Sequence, residues 1–405
     1  MATSLDSIPR LLFEIAGVGK RNRRPRSLAE VDLFRDWCDD TGLIRDRLDL
    51  RDGSATRREV VARFLLLNAV LDQGPDLLGV WSLLVQVTNS LYRQEVRFLH
   101  DPLAFFREIG VAVDAITRTH DLVKKSRAEE WALANRTVAT KYNLFTDGTK
   151  QVLQFAIFRW GMPLAVPYLL MKHVAEKAPT DEDRDRGCAT ALLDYVESYE
   201  SAEVMSWGLK ANETYGLGKA IGHKAAHMYA KWFVSSHQLT RRADPRWGRF
   251  SFEVPFDSNI GRVLWRSGFF LALAARRDYV EHHVVQPGEG KGEKDYIRVT
   301  NIRGMSPTRR LPPDWLKAYK DLCVVHMRTH ARQPKKVEIQ RLPMAVLLAS
   351  GLGNKGGAAD LDDGLVQIGT NFCLNTDFPR CARCPIRKLC EAALGNRRLI
   401  ERYAT

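Results

Sequence analysis

Four cysteines, Cys373, Cys381, Cys384 and Cys390, fall within eighteen residues near the C-terminus in the spacing C-x7-C-x2-C-x5-C. The other three of the seven, Cys38, Cys188 and Cys323, are scattered along a chain of 405 residues. So sparse a set cannot act as a disulfide scaffold, and the cluster reads as a metal site in a reducing compartment. Four thiolates in one short loop repel unless a cation holds them, and both zinc and a 4Fe-4S cluster accept four. Zinc ribbons usually pair two CxxC knuckles. Only one CxxC is present here, so the spacing favours iron-sulfur, with zinc as the alternative.

With 45% hydrophobic and 27% charged residues the chain can bury a sizeable core, expected as two packed units. Apolar residues recur three and four apart in Ala62 to Val70 and Leu78 to Leu91, which predicts a mainly α fold, and no fixed-period repeat suggests a solenoid. Turn signals stand at Gln73-Gly74-Pro75, Asp147-Gly148 and Ala178 to Asp181, and Asp295 to Ile302 alternates well enough for a short strand. Leu239 to Phe252 and Gln286 to Lys294 read as insertions between helices. The longest apolar run, Val152 to Met171, is broken by Arg159, Pro163 and Pro167, and the N-terminus has no apolar signal region. These features predict a cytoplasmic protein without a membrane segment. Its net charge of +13 points to a polyanionic partner, nucleic acid first. From Cys373 to the C-terminus there are seven basic and three acidic residues, so Arg383, Arg387 and Lys388 in the cysteine loops are expected to meet phosphate. The basic run Lys20 to Arg26 reads as a solvated arm.

Gly369-Thr370-Asn371-Phe372-Cys373, the three later cysteines and Pro385 resemble the iron-sulfur loop of endonuclease-III-like DNA glycosylases, with seven residues in the first gap where that family has six. The resemblance implies a helix-hairpin-helix upstream, whose Gly-apolar-Gly corner points backbone amides at a DNA phosphate. Gly17-Val18-Gly19 is rejected because Pro25 follows too soon for a second helix. Of two registers within Tyr215 to Ala226, Ala220-Ile221-Gly222-His223-Lys224 is preferred over Gly216-Leu217-Gly218, because an uninterrupted helical stretch follows it to about Ser236. Ile221, Gly222 and His223 would then contact DNA. Lys224 falls where bifunctional members of the family carry their lysine, although Ala220 replaces the usual first glycine. Val254-Pro255-Phe256-Asp257-Ser258-Asn259-Ile260-Gly261-Arg262-Val263 resembles the segment that carries the family's catalytic aspartate, at Asp257. Asp257 also suits the N-cap of the helix that follows, where a negative charge is favoured. Asn68 and Gln73 stand roughly where family members place a polar wedge that fills the gap left by an extruded base.

The resemblance therefore implies two helical domains with a helix-hairpin-helix and a C-terminal 4Fe-4S loop. Residues 56–236 would form a helical barrel ending in the hairpin, while 1–55 would join 237–405 in a cluster domain. Asp257 and Lys224 would act from the two sides of a cleft on a base flipped out of double-stranded DNA, the enzyme working as a nucleoid-associated monomer. By size and organisation the chain looks like the prokaryotic antiviral glycosylases that remove glucosylated 5-hydroxymethylcytosine from phage DNA. The alternatives are a repair glycosylase for oxidised, alkylated or mismatched bases and a non-catalytic iron-sulfur or zinc DNA-binding module. An iron-sulfur helicase or nuclease ranks last, because the chain has no phosphate-binding Gly-Lys-Ser/Thr loop. His326 and His330, four apart, read as a solvated pair rather than a second metal site.

Overall fold

The computed structural model describes residues 5–22, 25–72, 77–125, 157–248, 252–274, 276–281, 284–287, 297–299, 302–327, 336–352, 357–374 and 379–396. As expected, the fold is mainly helical. Among the described residues the strands form two short antiparallel pairs, Arg51–Asp52 with Ala55–Thr56 and Val285–Pro287 with Ile297–Val299. No described helix is long and apolar enough to cross a membrane. Helix Ile157–Lys177 carries most of the long apolar run, with Pro163 and Pro167 inside it.

The chain divides into two compact units, Pro25–Gly248 and Met1–Arg24 with Arg249–Thr405. The N-terminal helix does join the cysteine segment, but the boundary falls at residue 24 rather than 55, and the central unit runs to 248 rather than 236. Residues 25–55 stay with the central unit because Phe34 stacks edge-on to Phe64 at 5.2 Å and the Arg57 guanidinium lies 4.9 Å over Trp37. Residues 237–248 stay with it because Arg58 donates to the Leu239 carbonyl (3.0 Å) and Arg242 to that of Glu197 (2.7 Å).

The central unit is built around helix Arg57–Leu71, capped by Thr56, whose hydroxyl accepts the Glu59 amide at 3.2 Å. Nearly every face of this helix is buried, so polar side chains on it must be satisfied inside. Glu59 and Arg63, 0% and 1% exposed, pair at 2.7 Å. Glu59 also accepts the amides of Leu192 and Leu193 (both 3.0 Å) at the start of helix Ala191–Glu197, and Arg63 donates to the carbonyls of Leu99 and His100 (both 3.0 Å). One ion pair thus ties the central helix to two other segments of the unit. Helices Leu77–Arg93, Pro102–Glu108, His120–Lys125, Asp181–Cys188, Ala202–Ala211 and His223–Lys231 complete this unit.

In the second unit, helix Ile8–Asn22 buries Ile8, Leu11, Leu12, Ile15, Ala16, Val18 and Gly19 on one stripe against helix Ala358–Asn371. The two backbones touch at a pair of glycines. A Cβ on Gly19 would lie 1.9 Å from the Asp360 carbonyl oxygen, and one on Gly364 would lie 1.9 Å from that of Ile15. Gly19 is therefore a packing glycine inside a helix, in keeping with its rejection as a hairpin corner. Helices Ser258–Arg266, Phe269–Leu273, Arg276–Glu281, Pro313–His326 and Leu342–Ala349 make up the remainder.

His237, just beyond the turn that extends helix His223–Lys231 to Ser236, is 5% exposed, and burial lowers its pKa from 6.5 to about 4, with Arg45 adding to the effect. The unfolded chain binds a proton below pH 6.5 that the native state refuses until about pH 4, so this residue costs stability as pH falls through that window. Urea unfolding followed from pH 7 to pH 4 should show a decline in stability, and His237→Gln should flatten it. An unchanged slope would assign the decline to other groups.

Candidate functional site

The segment expected to form the hairpin lies in the central unit. Helix Ala202–Ala211 is followed by an eleven-residue connection to helix His223–Lys231, which continues as one wide turn to Ser236. The Asn212 side chain accepts the amides of Thr214 (2.9 Å) and Tyr215 (2.8 Å), and Leu217, fully buried, sends its amide back to the Leu209 carbonyl (2.8 Å). Thr119 braces the loop by donating to the Gly216 carbonyl at 2.5 Å. A Cβ on Gly216 would fall 2.2 Å from the Asn212 oxygen and one on Gly218 2.8 Å from that of Lys210, so these two glycines permit the tight fold-back. Gly222 differs. It is exposed, extended (φ −88°, ψ 178°) and has open space where a Cβ would be, and it caps the second helix without a side chain. The two registers weighed on sequence therefore hold different roles: Gly216 and Gly218 make the turn, and Gly222 opens the helix.

Of the other residues expected here, Ile221 is 4% exposed and anchors the corner, so what it can offer outward is backbone. His223 and Lys224 are half-buried in the first turn. Lys210 reaches from the first helix to place Nζ 2.9 Å from His223 Nε2. The buried His227 joins the two helices, with Nδ1 2.8 Å from the His223 carbonyl and Nε2 3.3 Å from the Ser206 hydroxyl and 3.4 Å from a Glu203 carboxylate oxygen. Asn68 is 2% exposed within the central helix, so its side chain is core, which corrects its reading as a wedge. Gln73 lies outside the described residues.

In the other unit Asp257 is half-buried at the N-cap of helix Ser258–Arg266, where Oδ1 accepts the amides of Asn259 (2.9 Å) and Ile260 (2.8 Å). One turn on, Gly261 allows strand Ile297–Val299 to pack on this helix, since a Cβ there would lie 2.7 Å from that of Val299. The same helix carries two buried arginines, Arg262 (5% exposed) and Arg266 (2%). Arg262 donates to the carbonyls of Cys373 (2.8 Å) and Gly369 (3.2 Å) and to the Asn259 side chain, and Arg266 donates to the Leu374 carbonyl (2.7 Å). These carbonyls lie at and just past the end of helix Ala358–Asn371, where helices leave acceptors unfilled and favour cations. The Arg266 guanidinium also lies 3.8 Å from Cys373 Sγ, and its carbonyl accepts from Cys390 Sγ at 3.5 Å. The helix headed by Asp257 is thus bolted at its far end to the cysteine loop. The two arginines were missed on sequence, although their positions five and nine residues after Asp257 place both on one helical face.

All four cysteines line a single pocket, with apolar walls from Val263, Ile368, Phe372 and Ile386. Burial, aided by neighbouring cysteines, pushes the Cys384 thiol up to about 11 and the Cys390 thiol up to about 12. No three of the four sulfurs lie within 4.8 Å of one another. One tetrahedral zinc, at about 2.3 Å from each thiolate, would bring them to about 3.8 Å, closer than any three of them stand here. Arg383, Arg387 and Lys388 are exposed on the loops, and Arg387 also donates to the Ala382 carbonyl (2.6 Å). His326 is not solvated as expected: it is 2% exposed, with its ring 5.5 Å from Phe252, and His330 lies outside the described residues.

The charge divides unequally between the units. Pro25–Gly248 has 30 Lys and Arg against 30 Asp and Glu, whereas the unit holding Asp257 and the cysteines has 31 against 18, which is the whole net charge of +13. Comparison of the chain with family models, with curated proteins and with solved structures found no match.

Metal analysis of the purified protein should find iron, and replacing any one of Cys373, Cys381, Cys384 or Cys390 by Ser should lower it severalfold. Cys38→Ser and Cys188→Ser should leave it unchanged. One zinc per chain, or iron insensitive to all four changes, would remove the pocket as an iron site.

Proposed function

We propose that this chain is a DNA glycosylase of the helix-hairpin-helix type, which flips a modified base out of double-stranded DNA and cuts its N-glycosidic bond. The observation that carries the reading is the bolted helix: Asp257 stands at one end and Arg266 reaches the four-cysteine pocket from the other. A carboxylate on a rigid helix start can face the positive charge that develops on the sugar as the base departs. The confinement of the excess charge to this unit supports a polyanionic partner.

In this reading the open Gly222 corner and the half-buried His223 grip a phosphate, and extrusion of the base costs a few kcal/mol that basic surfaces repay. Asp257 stabilises the developing cation and orients the nucleophile. With water as nucleophile, its oxygen bonds to the sugar C1′, one proton goes to the departing base and an abasic site remains. With Lys224 as nucleophile, its amine bonds to C1′ as the base leaves with one amine proton, the sugar ring then opens as C1′–O4′ breaks and O4′ takes the second proton, and the resulting Schiff base permits strand cleavage by elimination. Cys373, Cys381, Cys384 and Cys390 would hold a 4Fe-4S cluster, which would staple the loop structurally, because hydrolysis of the bond moves no electrons.

The finer reading is a bulky target, glucosylated 5-hydroxymethylcytosine in phage DNA, removed as antiviral defence. It is supported by the added length between Asp257 and Cys373, part of which packs on the Asp257 helix at Gly261. A pocket built to hydrogen-bond sugar hydroxyls rejects plain cytosine by leaving its own polar groups unpaired. Incubation with glucosylated phage DNA, unmodified host DNA, and DNA bearing oxidised or mismatched bases, with released bases identified by mass spectrometry, separates this reading from housekeeping repair. No released base from any of them, with DNA binding intact, would leave a recognition module.

Asp257→Asn keeps an oxygen that can cap the helix but removes the charge, so it should preserve folding and DNA binding while base release falls by roughly 10² or more. Near-normal release would place the catalytic carboxylate elsewhere. Borohydride should trap a covalent DNA adduct that Lys224→Gln abolishes, and base release without any adduct would assign the attack to water.

A further inference from the structure

The segment from Arg303 to Arg341 holds ten Lys and Arg against three Asp and Glu, more than half of the net charge of the chain, and lies in a stretch that the family resemblance leaves unmatched. Seven of these cations lie among the described residues and fall into two sets. Arg303 and Arg341 are structural: both pair with the buried Glu253, and Arg341 also meets Glu338 at 2.9 Å. Arg309, Arg310, Lys317, Lys320 and Lys336 are exposed, and none forms an ion pair among the described residues. Arg309 and Arg310 stand just before helix Pro313–His326, and Lys317 and Lys320 follow on its outer face. The inner face, Trp315, Tyr319, Leu322, Cys323 and His326, is buried, and the helix packs on Leu342–Ala349. Lys336 is brought alongside by the Tyr319 hydroxyl, which meets the Lys336 carbonyl at 3.4 Å and the Glu338 amide at 2.9 Å. Asp314 and Asp321 are the exposed acids of this helix, and Asp278 accepts from the Thr308 hydroxyl (3.1 Å) beside Arg309.

We propose that Arg309, Arg310, Lys317, Lys320 and Lys336 form a second duplex-DNA surface, distinct from the hairpin and the cysteine loops, that grips the phosphate backbone without reading sequence. Five exposed cations that form no ion pair among the described residues match a partner carrying one negative charge per about 1.7 Å of its axis. Long, flexible Lys and Arg side chains with no aromatic platform among them suit phosphate rather than bases. The inference rests on the reading of a DNA-acting protein and extends it, but it does not require base excision.

The test is fluorescence anisotropy of a short unmodified duplex titrated with the full chain over a series of salt concentrations. The variant Arg309→Ala/Arg310→Ala/Lys317→Ala/Lys320→Ala/Lys336→Ala should bind at least tenfold more weakly, and the slope of log affinity against log salt should flatten by roughly 3 to 4. Melting temperature should be unchanged, since all five side chains are exposed. Arg309→Lys/Arg310→Lys should restore most of the affinity when the three lysines are kept. Equal affinity and slope in the wild type and the fivefold variant would overturn the proposal while leaving the glycosylase reading in place. Weaker binding by the variant, in a protein that releases no base, would leave this surface standing and overturn the glycosylase reading. If the variant loses anionic-vesicle binding and keeps its affinity for DNA, the patch belongs to a membrane surface and the proposal falls.

Discussion

Two buried guanidinium groups hold the candidate site together. Arg262 and Arg266 project from one helix into carbonyls at the end of another, and the cysteine loop begins where those carbonyls stop. A buried carbonyl left unmet costs about 1 to 3 kcal/mol, so each arginine both removes that penalty and finds partners for its own charge. Neither interaction could be exchanged for apolar packing without releasing the loop, because backbone acceptors remain when the side chain is gone. The position of Asp257 relative to Cys373 is therefore set by one rigid helix and two charge-assisted contacts.

The central unit uses the same device for a different purpose. Glu59 and Arg63 sit on a helix with no solvent face, and each meets backbone groups from other segments, amides at a helix start for the carboxylate and carbonyls at 99 and 100 for the guanidinium. These two charges are tolerated there because the chain itself supplies partners to both. The charge on this unit sums to zero, so its electrostatics serve folding, while the exposed excess of the other unit is available to a partner.

Glycine fills three unrelated needs in this molecule. Gly19 and Gly364 let two helices touch, Gly216 and Gly218 let a loop close on the preceding helix, and Gly222 leaves a helix start uncovered. In the sequence the Gly17-Val18-Gly19 and Gly216-Leu217-Gly218 patterns look alike. What separates them is which backbone lies opposite, and that is a property of packing.

The sequence by itself determined the local chemistry: the helical periodicity, the cap at Asp257, the helix start after Gly222 and the grouping of four cysteines near one helix end. Those features depend on residues within a few positions of one another, so spacing is sufficient to reveal them. Only the tertiary structure decided that residues 25–55 belong with the central unit, that Asn68 and His326 are core, that Arg262 and Arg266 bind the cysteine loop, and that five described cations of the 303–341 segment form no ion pair while two do. Each of those outcomes turns on contacts between residues tens to more than a hundred positions apart, such as Arg262 with Cys373 or Phe34 with Phe64. A long-range contact of that kind forms because a whole buried surface selects it, and no local pattern encodes which surface that is.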